Sequence, residues 1–97
     1  MLFFTYILES EVDGSFYIGQ TNSVEKRLER HNKGYSKSTS PKRPWKLLYQ
    51  KECESRSEAM KTEKYLKSLK KREAILNWIQ KQRDVAQLPK IREPLVR

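Results

Sequence analysis

The stretch that decides the fold is SFYIGQTNSVEKRLERHNKG, Ser15 to Gly34. SFYIGQ reads as a short strand. Asn22-Ser23 then offers a helix N-cap, and Glu25, three residues after Asn22, completes the pattern of a capping box. The helix runs to about Lys33, where Gly34 supplies the C-terminal stop. Within it, Val24, Arg27, Leu28 and His31 stand at i, i+3, i+4 and i+7 and share one face. Val24 and Leu28 are the only apolar residues of this helix, so that face points inward and takes Arg27 and His31 with it. Two readings are open. Arg27 snorkels while His31 makes a core hydrogen bond, or both face a cleft.

The rest of the chain is read outward from that stretch. Phe3 to Glu9 is rich in aromatic and β-branched residues and reads as a first strand. VDGS joins it to the second, with Asp13-Gly14 a good turn pair, and the two strands form an antiparallel hairpin. If opposed residue numbers sum to an odd number, Tyr6, Tyr17 and Gly19 share a face, and Gly19 leaves open space beside Tyr17. GYSKSTSPKRP is a loop and WKLLYQKEC a third strand. SRSE, Ser55 to Glu58, is another capping box, opening a second helix to about Leu69, and REAILNWIQKQ is a third helix. After Arg83 the periodicity fades, and Pro89 and Pro94 mark an extended tail. The order β-β-α-β-α-α describes a small α+β domain with a three-stranded antiparallel sheet over residues 1–83, followed by a tail over 84–97.

A chain of 97 residues holds one domain with one modest core. Its net charge of +9 points to a polyanionic partner, nucleic acid ahead of an anionic membrane. The charge is unevenly placed. Residues 1–20 carry Glu9, Glu11 and Asp13 and no lysine or arginine, whereas 34–51 carry Lys37, Lys42, Arg43, Lys46 and Lys51 and no acid. Cys53 is the only cysteine, which rules out an internal disulfide and fits the reducing cytoplasm. MLFFTYILE has no basic leader and ends at Glu9, so it reads as a strand rather than a signal peptide, and no run reaches the length of a membrane span.

The second helix repeats the oddity of the first. Ala59, Glu63 and Leu66 stand at i, i+4 and i+7, placing Glu63 on the apolar side among Ala59, Met60 and Leu66. A carboxylate there needs a partner, because desolvation is costly. It either pairs with Arg27 or binds a cation at the floor of a cleft. Two tyrosines, an arginine, a histidine and an inward glutamate in a basic domain suit phosphodiester cleavage. That reaction needs an activated water, charge neutralisation at phosphate and help for the leaving oxygen.

These residues resemble the GIY-YIG nuclease family. Tyr17-Ile18-Gly19 gives the second half of the family's name, and Phe4-Thr5-Tyr6 stands where Gly-Ile-Tyr is expected. Ten residues separate Tyr6 from Tyr17, as in the family, and Thr21, Arg27, His31-Asn32 and Gly34 fit the continuation. Glu63 fits the metal-binding glutamate of the later helix. The resemblance covers roughly residues 3–80 and is greatest to the small stand-alone members. It implies a metal-dependent endonuclease acting on DNA, structure-directed or weakly sequence-specific, in repair or recombination. It further implies that Glu63 binds one Mg²⁺ or Mn²⁺ ion and that Tyr17 or Tyr6 is the general base or orients water. By the same resemblance Arg27 stabilises the transition state, and His31 assists the proton relay or contacts phosphate. Lys37, Lys42, Arg43 and Lys46 are then expected on backbone phosphates.

Two other readings stand beside this one. The domain is a nucleic-acid-binding module without catalysis, or it is a nuclease subunit that works with a protein partner or as a homodimer. The tail, QLPKIREPLVR, then serves as a docking segment, or it is a frayed terminus.

Overall fold

The computed structural model describes residues 2–87. Strands β1 (Phe3–Ser10) and β2 (Phe16–Thr21) are followed by helix α1 (Val24–Lys33), strand β3 (Trp45–Cys53) and helices α2 (Arg56–Leu69) and α3 (Arg72–Gln87). A single 3₁₀ turn, Ser40–Lys42, interrupts the basic loop. The sheet is antiparallel with order β2-β1-β3, so β1 is central and β2 is an edge. This is the α+β architecture and element order expected from the sequence.

Hairpin register sets the geometry of the tyrosines. Tyr6 opposes Gly19, and Tyr17 opposes Leu8. Opposed numbers sum to an odd number, so Tyr6, Tyr17 and Gly19 do share a face. The space above Gly19 is not open, however. The Tyr6 ring fills it, and a Cβ built on Gly19 would lie 2.6 Å from the Tyr6 hydroxyl. Gly19 thus lets a buried tyrosine cross the edge strand.

The pairing of β1 with β3 shifts between Ile7 and Leu8. Ile7 opposes Tyr49, but Leu8 opposes Leu47, which leaves Leu48 as a bulge. Because side chains alternate, this one extra residue reverses the faces of everything before it on β3. Trp45 therefore opposes Ser10 and joins the face of Tyr6 and Leu8. Without the bulge Lys46 would stand there.

The sheet separates two cores. On one face Tyr6, Leu8, Val24 and Trp45 are buried together, with Phe4, Tyr17 and Leu28 packed against them beneath α1. On the other, Ile7 and Ile18 pack against Leu66 of α2 and Ile75 and Ile79 of α3. The Thr5 hydroxyl donates to the Ala59 carbonyl at 2.7 Å, seating α2 on this second face.

Local signals explain most boundaries. Gly34 ends α1 in the left-handed region at φ 80°, and its amide donates to the carbonyls of Arg30 and His31. The N-cap is Ser23, whose hydroxyl accepts from Lys26 N, not Asn22 as the capping-box spacing suggests. Thr21 Oγ1 accepts from Ser23 N at 3.1 Å and fixes that turn. In the second box, Ser55 Oγ accepts from Glu58 N, while the Glu58 carboxylate accepts from Glu54 N, one residue before the cap. Helix α3 continues to Gln87, beyond the boundary expected at Arg83. Residues 88–97, with most of the expected tail and its docking segment, lie outside the described residues.

Candidate active site

Tyr6 is completely buried. Its hydroxyl lies 3.3 Å from His31 Nε2, and His31 Nδ1 lies 3.1 Å from Thr39 Oγ1. The positive charge of Arg27 also acts on the Tyr6 hydroxyl. Tyr6, His31 and Thr39 thus form one hydrogen-bonded chain, with Arg27 beside it, and the His31 tautomer sets its direction.

The electrostatics set the protonation states of this chain. Burial, reinforced by Tyr17, pushes the Tyr6 pKa up to about 12, against the lowering effect of Arg27. His31 is pushed below 6.5 by burial first and then by the charges of Arg27 and Arg30, so its ring is neutral at pH 7. A neutral imidazole with a protonated phenol beside it is a proton acceptor already in place.

Aromatic packing holds the imidazole. Its centroid is 4.6 Å from that of Tyr17 and 6.5 Å from that of Trp45. Trp45 Nε1 donates to the Thr39 carbonyl at 3.0 Å, tying the loop to the ring cluster. Asn32 reaches β3 with both halves of its amide. Its Oδ1 accepts from Trp45 N at 2.6 Å, and its Nδ2 donates to Trp45 O at 3.0 Å. Beside Tyr17 a pocket of about 220 Å³ opens to solvent, lined also by Arg27, Arg30, His31, Tyr35 and Ser36.

Glu63 stands apart from this pocket. It sits on α2, across the sheet from α1, and lines a groove with Gln20 of the edge strand. The recess around Glu63 and the pocket around Arg27 are joined through a recess lined by both Lys67 and Tyr17. The Tyr6 hydroxyl, carried toward the edge over Gly19, feels the charge of Glu63. Glu63 is half-buried, and its carboxylate pairs with Lys67 at 2.7 Å rather than with Arg27. Met60, expected beside it on the apolar side, is 52% exposed. Among the described residues no three acidic, histidine or cysteine side chains group as a metal cage. A lone carboxylate oxygen site fits a hard divalent ion that keeps waters and takes substrate oxygens as its other ligands.

Sequence reasoning therefore placed Tyr6, Tyr17, Arg27 and His31 where the structure gathers them. It missed Thr39, Trp45, Arg30 and Tyr35. The serine- and threonine-rich loop gave no period to mark Thr39, and Trp45 reaches the site only through the bulge. The basic loop departs most from expectation. Lys42 pairs with Asp13 and Lys46 with Glu9, each at 3.6 Å, so the acidic hairpin and the basic loop meet in space. Arg43 lays its guanidinium against Gly34, at the C-terminal end of α1, leaving no room there for a Cβ. Lys37 is exposed and enters no ion pair among the described residues.

Comparison with known proteins agrees with this geometry. The model of the GIY-YIG catalytic domain matches residues 2–81. The chain belongs to the GIY-YIG family, whose domain defines a class of nucleases. UPF0213 proteins of Staphylococcus aureus strains Mu3 and Mu50 are each 42% identical over 66 residues, covering 67% of this chain and 79% of theirs. The solution NMR structure of a UPF0213 protein from Bacillus halodurans aligns with a TM-score of 0.53 at 33% identity, covering 82% of this chain and 84% of that one. No helix among the described residues is long and apolar enough to cross a membrane.

Proposed function

We propose that this protein is a metal-dependent endonuclease that hydrolyses phosphodiester bonds of DNA. The observation that supports the reading best is the buried chain of Tyr6, neutral His31 and Thr39 beside a pocket lined by Arg27 and Arg30. Tyr17, which lines the pocket, orients the attacking water there, and neutral His31 beside it takes up the water's proton. At a pKa of about 12 the buried Tyr6 stays a neutral phenol, so it braces His31 Nε2 rather than serving as a phenolate base. Arg27 offers a planar fork to the non-bridging phosphate oxygens and their growing charge. Glu63 would hold Mg²⁺ or Mn²⁺, which when bound supplies charge neutralisation at the phosphate and leaving oxygen. Action on branched or nicked DNA in repair or recombination, within the cytoplasm, completes the proposal.

The test is cleavage of labelled linear, nicked and branched DNA with Mg²⁺, with Mn²⁺ and with chelator. Wild type is expected to cut only with metal. Glu63→Ala and Tyr6→Phe are expected to bind the same DNA and not cut it. Binding by wild type without cutting on any substrate would move the assignment to a binding module.

A further inference from the structure

The cations that face substrate need not be those of the loop. Helix α2 carries Arg56, Met60, Lys64 and Lys67 at i, i+4, i+8 and i+11, one ridge along its side. With Lys61 and Glu63, this ridge and Gln20 of β2 line a groove containing four cations and one carboxylate. Lys67 offsets that carboxylate. Arg56, Lys61 and Lys64 enter no ion pair among the described residues. Lys67 also lines an adjoining recess that includes Lys70 and Tyr17, and Tyr17 in turn lines the Arg27–His31 pocket. Shared lining residues therefore connect the start of α2 to the candidate catalytic pocket, with Lys67, Lys70 and Arg72 outnumbering the one acid, Asp13, in the recess between.

We infer that this α2–β2 groove, not the loop of residues 36–43, is the main track for the nucleic-acid backbone. The inference rests on the nuclease reading and adds the path of its substrate. Charge supports the choice. A phosphate at Lys42 or Lys46 also meets Asp13 or Glu9, whereas one at Lys61 or Lys64 meets surplus positive charge. Length supports a polymer over a mononucleotide. From Arg56 to Lys67, α2 lines the groove over about 18 Å at 1.5 Å per residue, and strand phosphates rise about 3.4 Å each, so the groove takes in roughly five of them.

The experiment measures binding of fluorescein-labelled single-stranded and duplex oligodeoxynucleotides by anisotropy. Chelator is present, so cleavage plays no part, and salt is varied. Lys61→Gln/Lys64→Gln is expected to weaken binding and to flatten the slope of log affinity against log salt. Loss of two phosphate contacts flattens it by about 1.4 for a single strand and about 1.8 for duplex. Lys37→Gln/Lys42→Gln is expected to change the slope by less than half as much. Both substitutions lie on exposed positions, and unchanged circular dichroism and thermal midpoints identify a binding effect. A groove variant with the wild-type slope, or a loop variant that carries the larger loss, would overturn the track while leaving the nuclease reading intact. Absence of binding by wild type would overturn both.

Discussion

At the scale of single residues, the site depends on an empty position and a misplaced proton. Gly19 has no side chain where Tyr6 crosses the edge strand. Gly19→Ala forces the ring aside and is expected to cost about 1–3 kcal/mol, the range of an overpacked core. Urea denaturation measures the cost, and cleavage should fall with it. The protonation states give two further expectations. Tyr6 is raised from 10.0 to about 12. Above pH 10 the unfolded chain loses a proton that the native protein retains, so this contribution to stability is full below pH 10 and is lost as pH rises toward 12. Unfolding of wild type and Tyr6→Phe between those pH values should show the extra slope only in wild type. His31 is lowered from 6.5, so protonation disables it as an acceptor only at acid pH. Cleavage should therefore be flat above about pH 7 and fall on an acid limb below 6.5. A pH–rate profile checks this, and the limb should vanish in His31→Phe along with about 10²–10⁴-fold of the rate.

At the scale of elements, Asn32 and the β3 bulge do related work. Asn32 holds the first residue of β3 against α1 through both of its amide groups. The bulge turns that same residue, Trp45, onto the site face. Asn32→Ala leaves the Trp45 amide without this acceptor and should cost about 1–2 kcal/mol. The His31 ring resonances should shift more than those of the α3 core, which two-dimensional NMR of the variant would show. The helices were legible because their signals are local: a cap, an apolar face and a stop glycine at Gly34. The bulge was not, because WKLLYQKEC does not mark which residue goes unpaired.

At the scale of the whole molecule, charge is arranged by folding rather than by segment. Arg72 at the start of α3 donates to the Glu9 carboxylate at 2.6 Å and to the Gly14 carbonyl, and its guanidinium lies over the Phe16 ring. Glu9 is held below 4.5, first by the hydrogen bond from Arg72 and also by Lys46. Its contribution to stability is thus present above the unfolded carboxylate pKa and lost as pH falls through the lower native value. Arg72→Ala should return the Glu9 titration toward 4.5, read by NMR, and cost about 1 kcal/mol for a half-exposed pair. Such pairing explains why a one-signed loop in sequence is a partly neutralised loop in space.

By itself the sequence determined the α+β class, the element order and the inward turn of Arg27 and His31, because periodicity, caps and turns act over a few residues. That Tyr6 and Tyr17 share a face followed from strict pleat alternation only once the hairpin register supplied an odd sum. Tertiary structure alone decided that Trp45 and Thr39 brace His31 and that acids of the hairpin meet the basic loop. Those outcomes depend on which residues meet across strands and layers. A single bulged residue can change them without any trace in local periodicity.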